Sequence, residues 1–224
     1  MKKFLRHEYD DIGRIYIFDD GSKYYSVTTM LGATGDKKFL IEWKKRIGVQ
    51  RAEAELKYAG DIGTAMHEAL EHYLIHFEEP QYPNSVVKNL AKQIIPYINK
   101  RVEGVHATEK ILYSDRLELA GTVDGVVDYI FRSGVHPTIL DFKTSKKEKK
   151  LEWIHDYLLQ LAIYGIMMEE MTGQPFDHGI LLFAYKQKRS RRNEVAIRLD
   201  KYKQLAEKRI QRFKNSLTSY LSSV

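Results

Sequence analysis

The sequence predicts an α/β or α+β sandwich in which a mixed central sheet carries helices on its faces. Two observations predict it. Strand-like segments gather at residues 106–145 and 178–199, while segments with helical periodicity lie before, between and after them. The resulting order of helix, a run of strands, helix, strands and helix places helices on a sheet rather than in a bundle.

Each element has its own warrant. Residues 14–18 (RIYIF) and 23–28 (KYYSVT) read as a short hairpin around Asp19, Asp20, Gly21 and Ser22. Residues 36–58 read as a helix with Phe39, Leu40, Trp43 and Ile47 on one face. Gly60 and Gly63 break that pattern, and a second helix is expected from about Thr64 to Phe77. A third runs from about Ser85 to Glu103, with Pro96 placed to kink it. Residues 106–113 read as a strand, followed by a hairpin within GTVDGVVDYIFRSGVHPTILDFKTS, Gly121 to Ser145. A helix over 151–172 stops at Gly173, with Pro175 just beyond. Residues 178–186 and 194–199 read as another hairpin joined by a basic loop, and a last helix fills 200–221. There is no internal repeat and no long linker. A single domain over 1–224 is expected, with an N-terminal hairpin and helical segment over about 1–60.

Composition narrows the function classes. The 224 residues are 43% hydrophobic, a globular composition, and no apolar run reaches membrane-spanning length. The first residues, MKKFLRHEYDDIG, lack a signal-peptide core, and their acids do not suit a transit peptide. With no cysteine, disulfides, thiolate zinc sites and a cysteine-ligated iron–sulfur cluster are excluded. A reducing cytoplasm, of a bacterium or a phage-infected host, is expected ahead of an organelle. The net charge of +6 suits a polyanionic partner.

The hairpin carries the chemistry. Alternation puts Asp124, Val126 and Asp128 on one strand face and Val123, Gly125, Val127 and Tyr129 on the other, while Asp141 and Lys143 point the same way from the second strand. If Asp124 lies across from them, three charges converge. A divalent cation relieves two close carboxylates, and oxygen donors suit Mg²⁺ or Mn²⁺. Surface acids with an ordinary salt bridge are the alternative. In GTAMHEALEHYL, Gly63 to Leu74, His67 shares a helix side with Gly63, Leu70, Glu71 and Leu74. It is either a hydrogen-bonded core histidine or a metal ligand, with Glu71 one turn on either orienting its ring or simply solvated. Trp153, Tyr157, Gln160 and Tyr164 fall within about 60° on the next helix. They form either an amphipathic edge or a face for bases and phosphates. KQKRSRR contributes five basic residues, Lys186, Lys188, Arg189, Arg191 and Arg192, at a hairpin tip that is either solvated or a phosphate-contacting arm.

The ordered set GTxxHxxLE, a glutamate strand, GTVD, DFKTS and QLAIY resembles the PD-(D/E)xK nuclease superfamily, in the branch with the RecB nuclease domain. YYSVTTMLGAT…LIEWKKRIG, Tyr24 to Gly48, followed by GTAMHEALE, is similar to the mitochondrial genome maintenance exonuclease family with its phage and bacterial members. The likeness covers roughly 23–186. It implies a restriction-endonuclease-like core. It implies His67, Asp124, Asp141 and the Phe142 carbonyl as metal ligands, and Lys143 as the residue that orients or deprotonates the attacking water. Gln160 and Tyr164 would contact the nucleic-acid backbone, Ser26 and Thr28 would lie near a phosphate, and Glu109 could serve a second metal. For Ser26 and Thr28 plain strand-face hydroxyls, and for Glu109 an exposed strand glutamate, are the alternatives. Trp153, Tyr157 and Trp43 could stack on unpaired bases.

The expectation that follows is a monomeric Mg²⁺- or Mn²⁺-dependent deoxyribonuclease, an exonuclease preferring single strands, flaps or frayed ends. The rivals are a duplex-end exonuclease or endonuclease of the same superfamily and a non-catalytic DNA-binding protein on this fold. Relatives in the branch often hold an iron–sulfur cluster through cysteines, and this chain has none.

Overall fold

The computed structural model describes residues 1–187 and 192–221, without the side chains of Tyr220 and Leu221. The chain runs β1 (Phe4–Tyr9), β2 (Arg14–Phe18), β3 (Lys23–Ser26), α1 (Val27–Thr34), α2 (Lys38–Ile47), α3 (Val49–His76), α4 (Ser85–Arg101), β4 (Val102–Ser114), β5 (Leu119–Phe131) and β6 (Gly134–Ser145). A 3₁₀ turn at Leu151–Ile154 leads into α5 (His155–Thr172), β7 (His178–Tyr185), β8 (Glu194–Arg198) and α6 (Asp200–Leu221). The predicted mixed sheet flanked by helices is what forms.

All eight strands join one sheet in the order β1-β2-β3-β5-β6-β7-β8, with β4 also on β5. The centre of the design is β5, which has three neighbours. Antiparallel β4 follows it along most of its length. Parallel β3 meets it at Leu119 and Ala120, while antiparallel β6 pairs with it only from Gly125 to Phe131. Among the described residues, β5 therefore has no ladder partner on that side from Gly121 to Asp124. Beyond Leu140, β6 continues as the parallel neighbour of β7, from Thr138↔His178 to Ser145↔Tyr185. The sheet is thus split by a wedge at its middle.

Two apolar layers cover it. On one face α3 and α4 pack Met66, Leu70, Leu74, Leu90 and Ile94 against Val127, Leu140, Phe142 and Leu182. On the other, α1, α5 and α6 pack Met30, Leu161, Ile210 and Phe213 around Val123, Ile139, Leu181 and Phe183. Among the described residues no helix is long and apolar enough to cross a membrane.

Several sequence expectations are corrected. The break near residue 60 is absent, and α3 runs unbroken through Gly60 and Gly63. Burial of Ile62, Met66 and Leu70 outweighs the roughly 1 kcal/mol that each glycine costs a helix. The real break is Gly48, whose φ of 89° is open to glycine at little cost. Strand β3 stops at Ser26, so Thr28 belongs to α1, because the Ser26 hydroxyl accepts the Thr29 N–H at 3.0 Å and caps that helix. The face with Phe39 and Leu40 does not pack inward: Phe39 is 76% exposed and α2 buries no residue. α4 ends at Arg101 and continues through Pro96. Val123 and Val126 share one core layer, so the simple alternation of β5 slips at Asp124. Strand β1 was not foreseen. It is tied down by Lys2, whose ammonium meets Tyr24 Oη at 2.6 Å, Asp115 Oδ1 at 2.7 Å and Asp20 Oδ2 at 3.1 Å.

Leu70 is fully buried and Phe39 is not, so their truncations should separate cleanly. Leu70→Ala is expected to cost about 2–5 kcal/mol, and Phe39→Ser to change stability by no more than about 0.5 kcal/mol. Urea unfolding midpoints read both.

Candidate active site

The wedge explains why polar groups gather there. Past Gly125↔Leu140, Phe142 leaves β5, and its buried N–H needs an acceptor. Asp124 Oδ2 accepts it at 2.6 Å. The other oxygen, Oδ1, lies 3.2 Å from His67 Nδ1. His67 reaches it from α3, one turn after Gly63. Gly63 faces β6, where an added Cβ would make an ordinary contact with Thr144 Oγ1 at 3.6 Å. The imidazole also rests edge-on against the Phe142 ring, 5.9 Å between centroids.

Glu109 completes the near side. Thr108 pairs with Gly125 and Lys110 with Val123, so Glu109 sits opposite Asp124. Its φ is 43°, a left-handed conformation that a non-glycine residue rarely adopts within a strand. One donor atom each from His67, Glu109 and Asp124 lies within 4.8 Å of the others.

On the far side Asp141 and Lys143 project toward α5. Lys143 Nζ stands 2.5 Å from Asp141 Oδ2 and 5.2 Å from the Tyr157 ring centroid. Asp141 Oδ2 has that ion-pair partner without a hydrogen bond of ordinary geometry. Lys149 Nζ donates to Tyr157 Oη at 2.8 Å. Gln160 Nε2 donates to Tyr164 Oη at 3.2 Å, and both side chains are buried. The Tyr164 ring enters the wedge against Gly121. A Cβ there would come within 2.8 Å of Tyr164 Cε1 and Oη, so only glycine admits the ring.

The charges are mutually dependent. Burial raises the Asp141 carboxyl well above the usual range, and the Asp124 charge adds to this against the pull of Lys143. For Asp124 burial acts the same way, but His67, Lys143 and the Phe142 N–H reverse it and hold the group low. Burial alone would weaken the cations; Asp124 reverses this for His67, and Asp141 with Asp124 reverse it for Lys143, so both are raised. Glu109 is pushed up to about 7 by partial burial, then by Asp124 and Glu71.

The donor set suits a hard divalent cation. One imidazole and two carboxylates offer nitrogen and oxygen, and no thiolate exists in the chain. His67 Nδ1 and Asp124 Oδ1, 3.2 Å apart, are spaced as neighbouring donors to one small divalent cation would be, with a Glu109 oxygen within 4.8 Å of both.

Other predicted residues fall further out. Ser26 is buried, and its hydroxyl is spent on capping and on Thr29 Oγ1 at 2.8 Å; Thr28 is exposed beside it. Trp153 is exposed on the 3₁₀ turn with Lys150 over its ring, and Trp43 is half-buried. Lys186 and Arg192 are exposed, whereas Lys188, Arg189 and Arg191 lie outside the described residues. Two neighbours of the site were missed. Lys149 was signalled by the basic run KTSKKEKK, and Gly121 by its place at the head of GTVD.

Glu109 holds an unfavourable backbone conformation and an unfavourable charge at once. Glu109→Asn, with a side chain tolerant of left-handed backbone, should raise the melting temperature of the metal-free protein. The gain expected is about 1 kcal/mol, limited because Glu109 is exposed enough for solvent to screen its charge. Thermal unfolding in EDTA measures it.

The chain is similar to known proteins. The profile of the PD-(D/E)XK nuclease superfamily matches residues 37–221. Mitochondrial genome maintenance exonuclease 1 of Homo sapiens is 31% identical over 172 residues, covering 72% of this chain and 49% of that protein. The chain thus spans about half the length of the curated relative it matches. A crystal structure of a Eubacterium rectale protein described as a candidate exonuclease aligns at 16% identity with a TM-score of 0.45, over 69% of this chain and 68% of that one. From the extent of the profile match and the identity to the human protein, the chain belongs to the PD-(D/E)XK nuclease superfamily.

Proposed function

We propose that the chain is a metal-dependent DNA exonuclease that hydrolyses phosphodiester bonds and prefers single strands, flaps or frayed ends. The observation that carries the reading is the meeting, through one gap in the sheet, of the His67, Glu109 and Asp124 donors with the Asp141–Lys143 pair. Such a cluster is poorly balanced by itself and is well balanced by a divalent cation and a phosphate. Family membership supports the reaction class, and the name of the human relative supports DNA as substrate.

His67 and Asp124 would hold the cation, with Asp141 and the Phe142 carbonyl completing its ligands and Glu109 serving it or a second ion. A bound Mg²⁺ or Mn²⁺ would supply Lewis-acid activation of water and of the scissile phosphate. Lys143 does the rest of the electrostatic work. Its ammonium, 2.5 Å from Asp141 Oδ2 and 5.2 Å from the Tyr157 ring centroid, would donate a hydrogen bond to the attacking water and stabilise charge developing on the phosphoryl oxygens. Asp141 keeps that ammonium oriented. Tyr164 and Gln160, joined by their hydrogen bond, would hold α5 at the wedge and contact the nucleic-acid backbone. Tyr157, Lys149 and Trp153 line the approach from α5, where an aromatic face with ammonium groups suits unpaired bases and their phosphates. The chain would act as a monomer.

End-labelled single-stranded and duplex DNA, incubated with Mg²⁺, Mn²⁺ or EDTA, tests the reaction. The expected outcome is metal-dependent shortening that is faster on the single strand. Lys143→Ala should lose it by roughly 10²–10⁴-fold while keeping its fold. A wild type that binds both DNAs and cuts neither would leave a binding protein. Metal binding has its own readout. Millimolar Mn²⁺ should raise the melting temperature of the wild type, and Asp124→Asn should abolish most of that rise.

A further inference from the structure

A cleft of about 500 Å³ opens between α3, α4 and the end of β7, the strand next to β6. Its rim carries Tyr58, an α3 residue that is 52% exposed, with the Lys186 ammonium 4.5 Å from its ring centroid. Residues 53–61 of α3 are all exposed, so Tyr58 contributes nothing to either core layer. Its wall is apolar, from Val86 and Leu90 of α4.

The floor is polar and fixed. The Gln93 carboxamide accepts the Tyr185 N–H and donates to the Tyr185 carbonyl, both at 3.0 Å, acting as a one-residue extension of the strand edge. Asn193 Nδ2 donates to the Phe183 carbonyl at 2.7 Å. Asn89 stands exposed on the same lining.

The position relates the cleft to the catalytic strand. Lys143 is paired with Phe183 and Ser145 with Tyr185, so the cleft begins two residues along β6 from Lys143, roughly 7 Å. The Lys186 N–H donates to the Ser145 carbonyl at 2.9 Å, which ties the rim to that strand. Tyr58 and His67 lie nine residues apart on one continuous helix, about 13 Å at 1.5 Å per residue. At roughly 3.4 Å for each stacked nucleotide, the cleft falls a few nucleotides from the scissile phosphate.

We propose that this cleft is a subsite for one unpaired base of the nucleic-acid strand, resting on the nuclease reading above. The base stacks on the Tyr58 face turned from the ammonium, with its edge toward the amides of Gln93, Asn193 and Asn89. Lys186 neutralises the neighbouring phosphate. An exposed aromatic, a basic side chain at its rim, a rigid amide floor and an apolar wall form the combination that suits a base better than a bare phosphate, which would use neither ring nor wall.

Fluorescence anisotropy tests it. A labelled oligothymidine is titrated with full-length protein in EDTA, and a single abasic nucleotide is walked along the oligonucleotide. The expected result is one position at which the missing base weakens binding by about 5- to 100-fold. Tyr58→Ala should erase that positional penalty with an unchanged melting temperature, and Asn89→Ala should reduce it. If Tyr58→Ala weakens every oligonucleotide by the same factor, or leaves the positional penalty intact, the subsite is wrong. If the wild type shortens the unmodified oligonucleotide in Mn²⁺ yet no abasic position matters, this proposal fails alone. If it neither binds nor shortens DNA, the nuclease reading fails and takes the subsite with it.

Discussion

The hydrogen bond from the Phe142 N–H to Asp124 Oδ2 is the contact on which the site depends. Strands β5 and β6 separate after Gly125↔Leu140, and a buried backbone donor at the point of separation cannot stay unpaired. A carboxylate is the acceptor, and its presence dictates the rest. It draws His67 from α3, it sets Glu109 of β4 opposite a like charge, and it lies close enough to Asp141 to oppose its ionisation. Lys143 is then the cation that makes the far side tolerable. The parting also joins the two faces of the sheet, so that groups from α3 and from the α5 side meet at one place.

This arrangement is unfavourable for the protein alone. Two buried carboxylates, Asp124 and Asp141, and the exposed Glu109 gather around one ammonium and one imidazole, and Glu109 is carried on a left-handed backbone. Such strain and repulsion persist only where the surrounding structure enforces them. Here the enforcing elements are the α3 and α4 layer beneath Phe142 and the α5 layer that holds Tyr157 and Tyr164. Stability is given up locally at a place where a cation and a phosphate would restore it.

Much of this was legible in the sequence. The hairpin, with Asp124 on one strand and Asp141 and Lys143 on the next, follows from alternation and turn chemistry. The helix expected over 151–172 forms from His155 to Thr172 after a 3₁₀ turn at Leu151–Ile154, and its end follows from Gly173. His67 stood on an inward helix side, although only the fold shows that Asp124 is its partner. What stayed hidden was non-local. The Glu109 backbone conformation depends on the β4–β5 register. Gly48, Gly60 and Gly63 look alike as helix breakers, and the tertiary packing of Ile62 and Met66 decides among them. Ser26 reads as a strand residue until α1 begins after it. Strand β1 is polar and holds its place through the Lys2 contacts with Asp20, Asp115 and Tyr24, which no periodicity signals. The apolar face of α2 shows the opposite failure, a correct amphipathic pattern that the described chain leaves uncovered.

The central claim is that the gap between β5 and β6 is a metal site. The most direct test is an anomalous difference map from crystals grown with Mn²⁺. The predicted result is a peak within coordination distance of Asp124 and His67, facing Asp141 and Glu109. A map with no peak there at saturating Mn²⁺, or with the ion bound only elsewhere on the molecule, would contradict the claim.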